Sequence, residues 1–345
     1  MKKLLMAMAV LASLVGLPLA ADPAHTVAGA IPGGNSPYAT DAYPGFDGLD
    51  DIKKPERREK SWWFGVKRDT ASEQYAYAKE LERDGDYKAA AKAFDALVRE
   101  WPSALEAPPA QLSFVKILAK NLEDYEEAFV QLEYLFDFYS RDCDYQELVK
   151  YGYQLVNTMV AKKKSIFGFS FLSMRLVRQH YESLVRRAPG ADFVPEAMMK
   201  IAQIREDEQQ YLEAQKVLAT LQSKYPLRPE ARTAAYREAQ VRIHICRRLA
   251  YNQQRCRDSR DFLRYLMTRY PNLEQLEEVK QWEKELTDYM AEDAYQHAKT
   301  YDNRRRTRHA AITAWKAFLR EYPASPHAEE VKARLDELES APAAK

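Results

Sequence analysis

The 345-residue chain is short of glycine, cysteine and net charge, and each shortage excludes something. Of its 11 Gly, six lie in residues 1–50, and only Gly85, Gly152, Gly168 and Gly190 lie beyond residue 65. Tight β-hairpins and phosphate-cradling loops both need glycine's backbone freedom, so hairpin-built β folds and Gly-loop nucleotide folds are disfavoured. The three Cys cannot build a disulfide framework, and no Cys-x-x-Cys spacing offers a zinc site. Lys plus Arg number 52 against 51 for Asp plus Glu, a net charge of +1 that gives no global reason to expect nucleic acid or an anionic membrane as partner. The six His include no pair four apart and no His-Glu-x-x-His. Gly-x-Ser-x-Gly, the phosphate loop and Gly-x-Gly-x-x-Gly are missing as well. Neither catalysis nor a cofactor or metal is expected. What remains is a long stretch rich in Ala, Leu, Glu, Arg and Tyr, good helix formers in the main, and it reads as nearly all helix.

The ends read differently. Lys2 and Lys3 precede an apolar run from Leu4 to Leu19 and a small-residue stretch, Ala20-Ala21. That run falls short of the roughly 20 residues a spanning helix needs, and residues 1–21 read as a Sec export signal. No Cys follows the expected cleavage point, the first being Cys143, so no lipid anchor is expected. Residues 22–65 read as a linker, with five Gly and five Pro between 22 and 60 and no apolar period. It ends in Trp62-Trp63-Phe64, rings that either cover the open end of the following domain or anchor a partner. Residues 66–340 form the helical domain, and 341–345 are a tail.

Within that domain one pattern recurs. Tyr87, Ala90, Phe94, Leu97 and Pro102 stand at the same offsets as Tyr211, Ala214, Leu218, Leu221 and Pro226. Ala311, Trp315, Phe318 and Pro323 repeat it, and partial copies are Tyr125/Ala128/Leu132/Leu135, Tyr181/Leu184/Pro189 and Leu263/Leu266/Pro271. The first four offsets lie on one helix face. The small Ala admits the preceding helix, the bulky residue one turn later fills the space beside it, and Pro ends the unit. Tyr87, Ala90, Phe94, Tyr211, Ala214, Leu218, Ala311 and Trp315 are therefore the expected repeat-packing residues. These are marks of the tetratricopeptide repeat. The expected fold is an all-α solenoid, a right-handed superhelix of about six helix hairpins with a capping helix over Ala328–Leu338.

The run of motifs resembles the BamD-like proteins, periplasmic lipoproteins of the outer-membrane β-barrel assembly machinery. The resemblance rests on Tyr77-Ala78-Lys79-Glu80-Leu81 before Gly85-Asp86-Tyr87-Lys88-Ala89-Ala90 and on Tyr322-Pro323-Ala324-Ser325. Further support comes from Ala188-Pro189-Gly190-Ala191-Asp192-Phe193, the Ile166-Phe167-Gly168 insert, and the stretch from Leu286 through Tyr295 to Ile312. It spans residues 71–338. It implies a periplasmic scaffold at the inner face of the outer membrane, binding a β-barrel assembly core protein or client barrel segments. Without a lipidated Cys, membrane association would run through those partners. A scaffold for cell-wall or division proteins is the alternative.

If the first helix of each hairpin lines the groove, Tyr75, Lys79, Glu82, Ser113 and Lys120 face it and are candidate partner contacts, although solvated helix positions would have the same composition. Seven Arg between Arg247 and Arg269 meet only two acids, Asp258 and Asp261. Arg247, Arg248, Arg255 and Arg257 are candidates for an acidic partner, whose carboxylates Arg forks bind in bidentate fashion; solvated loop ends are the other reading. A second basic run is Arg304-Arg305-Arg306 with Arg308. Lys162 to Phe169 reads as a connector or, alternatively, a basic-aromatic tongue. Cys246 and Cys256 would stand about 15 Å apart on one continuous helix, out of disulfide reach. Two separate thiols are expected unless the chain turns between them near Asn252-Gln253.

Overall fold

A computed structural model describes residues 65–163, 173–248, 253–303 and 308–340. The export signal, most of the linker, Trp62-Trp63-Phe64, the insert from residue 164 on, Arg304-Arg305-Arg306 and the tail lie outside the described residues.

Among those described there are thirteen helices and no strand. They pair along the chain as α1 (Ala71–Arg83) with α2 (Tyr87–Glu100), α3 (Ala107–Lys120) with α4 (Tyr125–Phe138), and α5 (Tyr145–Lys163) with α6 (Met174–Arg187). Next come α7 (Val194–Asp207) with α8 (Tyr211–Lys224), α9 (Pro229–Arg248) with α10 (Gln253–Arg269), and α11 (Leu276–Asp302) with α12 (Arg308–Glu321). The terminal α13 (Ala328–Ser340) packs on α12. Each helix packs chiefly on its neighbours in sequence, the contact pattern of stacked hairpins.

Local chemistry sets the hairpin ends. The side chains of Thr70, Asp86 and Asp124 cap α1, α2 and α4 by accepting from the backbone N–H three residues on. Pro108 and Pro195 occupy the first turns of α3 and α7, where a missing N–H costs nothing. Three of the hairpin turns pass through the left-handed region two residues before a Tyr, at Gly85 (φ 84°), Glu123 (φ 53°) and Gln209 (φ 61°). Only the first uses the residue best suited to it.

The interlock the spacing implies is visible in the core. Ala90, Phe94, Ala214, Leu218 and Ala311 are fully buried and Trp315 nearly so, while Tyr87 and Tyr211 pack half-buried against the rest. Gly152 on α5 serves a close approach: a Cβ there would lie 2.9 Å from a Leu184 methyl and 3.0 Å from one of Leu132. Hydrogen bonds repeat with the units. The Tyr139 hydroxyl donates to the Pro102 carbonyl at 2.8 Å, and Tyr225 donates to that of Pro189 at 2.7 Å. The closing tyrosine of a unit thus reaches back to the proline that closed an earlier one.

Two hydrophobic clusters result, and α9 is shared between them. Its Ala231, Ala234, Val241 and Ile245 belong to the first, which runs from α1 onward. Ala235, Ala239, Ile243 and Cys246 belong to the second, built with α10–α13.

Candidate partner-binding surfaces

On α1, the Tyr75 ring packs 5.8 Å from that of Phe94, and the Lys79 ammonium sits over both rings at 5.9 and 5.7 Å. Lys79 also pairs with Glu82 at 2.8 Å, so these three candidates form one local aromatic and ionic group. Lys120 is exposed at the end of α3. Ser113 is placed differently from the sequence expectation: it is buried, with 8% of its surface exposed. The cause lies in the composition of α3, where ten of fourteen residues are buried between α2 and α4, leaving little open face for the extrapolated register.

The four arginine candidates do not converge. Arg247 is held by both carboxylate oxygens of Glu285 on α11, at 2.9 and 2.7 Å. The Arg248 guanidinium lies 6.0 Å from the Tyr211 ring centroid. Arg255 lines a cleft of about 370 Å³ with Gln215, Arg242 and Asp258. Arg257 alone reaches a larger groove, of about 560 Å³, between α10, α11 and α12. Nearness in sequence cannot show this division, because Arg247 and Arg248 end α9 while Arg255 and Arg257 lie in the first turns of α10, and each residue points to a different side of its helix. Elsewhere, Lys162 ends α5 paired with Glu123 at 2.8 Å, and the Arg308 Nε donates to the Leu338 carbonyl at 2.9 Å.

The 560 Å³ groove is the surface the sequence reading missed. Tyr289, Met290, Asp293, Ala294, His297 and Tyr301 form its α11 wall. Three- and four-residue steps link them, as in Tyr289–Asp293–His297–Tyr301 and Met290–Asp293, the period of one helix face. Ala310, Ala314 and Ala317 leave room on the α12 wall, with Phe318 as its floor. Asp293 accepts from Gln253, and Arg257 and Glu321 put opposite charges on the rim. The 3.6-residue period of α11 was the available signal, but the same face carries the buried Leu286 and Met290, so in sequence the stripe reads as core.

A second polar and aromatic group lies where α5, α6 and α7 meet. The Lys200 ammonium donates to the Tyr153 hydroxyl and to Asn157 Oδ1, both at 2.9 Å, and pairs with Glu196 at 2.8 Å. The Tyr181 hydroxyl donates to the same Asn157 oxygen at 2.6 Å. Burial pushes the Tyr153 and Tyr181 phenols up, while the Lys200 hydrogen bond holds the Glu196 carboxyl below its ordinary value. These are neutral hydroxyls in a fixed network, suited to hydrogen bonding and not to proton transfer near pH 7. Among the described residues no group of three or more His, Cys, Asp or Glu could hold a metal ion, and no helix is long and apolar enough to cross a membrane.

Residues 196–227, which span most of α7 and all of α8, match the tetratricopeptide repeat family model. The α7–α8 hairpin is thus a tetratricopeptide repeat, set in a stack of similar helical hairpins. No curated protein matches the sequence. Similar solved structures include a tetratricopeptide repeat protein from Parabacteroides merdae, at 12% identity over 78% of this chain and 99% of that one, TM-score 0.29. Another is the assembly chaperone of RpL4, Acl4, residues 1–338, at 14% identity over 66% of this chain and 86% of that one, TM-score 0.27. A third is the C-terminal part of a repeat protein of this kind from Cytophaga hutchinsonii, at 15% identity over 74% of this chain and 98% of that one, TM-score 0.23. These hairpins fit a protein–protein interaction scaffold.

Proposed function

We propose that the protein is a non-catalytic scaffold of the bacterial envelope that assists outer-membrane β-barrel assembly, in the manner of the BamD-like proteins it resembles. The observation that carries the binding role is the groove between α11 and α12. It combines an aromatic and alanine lining with a mixed-charge rim of Arg257, Asp293 and Glu321, which suits an extended segment anchored by apolar side chains. Export and residence in the periplasm rest on the reading of residues 1–21, and membrane proximity would follow from the partner. The alternative client class is cell-wall or division proteins.

Photo-crosslinking from position 289 in intact cells tests this reading. Tyr289 is an exposed aromatic on the groove wall, so a crosslinker there lies within reach of any occupant. Capture of the barrel-assembly core protein or of client barrels is expected, and Ala314→Trp, which fills the groove, should reduce it at least tenfold. Capture of cell-wall proteins in their place would favour the alternative, and unchanged capture in Ala314→Trp would remove the groove from the account.

A further inference from the structure

The chain does turn between Cys246 and Cys256. α9 ends at Arg248 and α10 begins at Gln253, and the two helices pack on each other. Both cysteines are buried, with 3% and 1% of their surfaces exposed, and both belong to the second hydrophobic cluster. The Cys246 Sγ lies 3.3 Å from the hydroxyl of Ser259, one helical turn after Cys256 on the same face of α10. The Cys246 side chain is near enough to the Cys256 thiol to help raise its pKa. Cys143 lies in the first cluster's surroundings, after α4, and has no part in this pair.

We propose that Cys246 and Cys256 form a disulfide that locks the α9–α10 hairpin when the chain folds in the presence of a low-molecular-weight disulfide such as glutathione disulfide. The thiolate of one cysteine attacks a sulfur of glutathione disulfide, releasing one glutathione thiolate and leaving a mixed disulfide. The second cysteine loses its proton to water and attacks the protein sulfur of that adduct, displacing the other glutathione. Two protein thiols are oxidised to one S–S bond, and one disulfide is reduced to two thiols. Timing follows from burial. In the folded hairpin, desolvation and the neighbouring thiol push the Cys256 thiol up to about 12, which leaves almost no thiolate at neutral pH. Pairing therefore belongs to the folding chain, before α10 closes on α9, and the finished bond is shielded from reductants. The location matters as well, because α9 joins the two hydrophobic clusters.

The test uses purified full-length protein, so it is independent of export and of the partner. The unfolded, reduced chain is refolded with glutathione disulfide, quenched in acid, denatured and alkylated. The expected product has lost two hydrogens, is alkylated at Cys143 alone, and yields tryptic fragments 243–247 and 256–257 joined to each other. Its thermal midpoint should exceed that of the reduced protein by a few degrees. Cys143→Ser should keep the loss of two hydrogens and Cys246→Ser should abolish it, with helical circular dichroism retained in both. Alkylation of both Cys246 and Cys256, a stable glutathione adduct on either, or a bridge to Cys143 would overturn the proposal.

Discussion

The middle and the C-terminal end of the molecule handle charge in opposite ways. On α6 every residue from Val177 to Arg186 is buried, charged groups included. Arg178 donates to Glu182 at 2.8 Å, Arg205 from α7 donates to the same oxygen at 3.2 Å, and Arg186 lies 3.9 Å from the other. Burial pushes the Glu182 carboxyl up to about 7 against the pull of these guanidiniums. Near the C-terminal end the ion pairs sit at the surface: Arg247 and Glu285 keep 55% and 43% of their side-chain area in water, and Arg264 reaches Glu283 from an exposed position. There the polar groups leave an open groove. In the middle they fill the space between helices. The same repeat thus gives a rigid, charge-filled joint in one place and a vacant wall in another, according to which faces of its helices are covered.

The sharpest break of that comparison is Glu182→Ala. It strips the shared carboxylate from three buried guanidiniums and should cost about 3–5 kcal/mol in urea unfolding at pH 8. A cost under about 1 kcal/mol would mean that the middle is no different from the surface.

His180 gives the next largest effect, on pH dependence. It is buried against Phe129 at 3.8 Å between ring centroids, and burial lowers its pKa to about 3. The folded protein therefore favours the neutral ring. Stability is whole above the unfolded value near 6.5 and falls as pH drops below it, by roughly 2 kcal/mol between pH 7.5 and 5.0. His180→Leu should remove that share of the slope, and identical pH profiles for the two proteins would refute it. The smallest effect belongs to Arg247→Ala, which should change stability by no more than about 1 kcal/mol, because the lost pair is solvated. A loss as large as that of Glu182→Ala would erase the contrast.

Much of the packing was legible in the chain. The offsets linking Tyr87, Ala90 and Phe94 to Tyr211, Ala214 and Leu218 located the interlocking faces, since a helix face follows directly from spacing. The candidate site was far less legible. Ser113 was placed on the open face by register alone, and only its neighbours α2 and α4 explain why it is buried. The arginines between Arg247 and Arg257 read as one patch in sequence, yet they diverge around the ends of α9 and α10 toward Glu285, Tyr211 and two different cavities. The Lys200, Tyr153 and Asn157 network joins residues 43 and 47 positions apart, which no local pattern records.

The amino-acid order by itself determined that this protein is helical, repeated and interlocked through small and bulky side chains, because those properties depend on neighbours within a few turns. Tertiary packing alone decided which faces stay open, where α6 could bury charge, and that Cys246 meets Cys256. Each of these depends on the separation of helices that only the assembled stack sets.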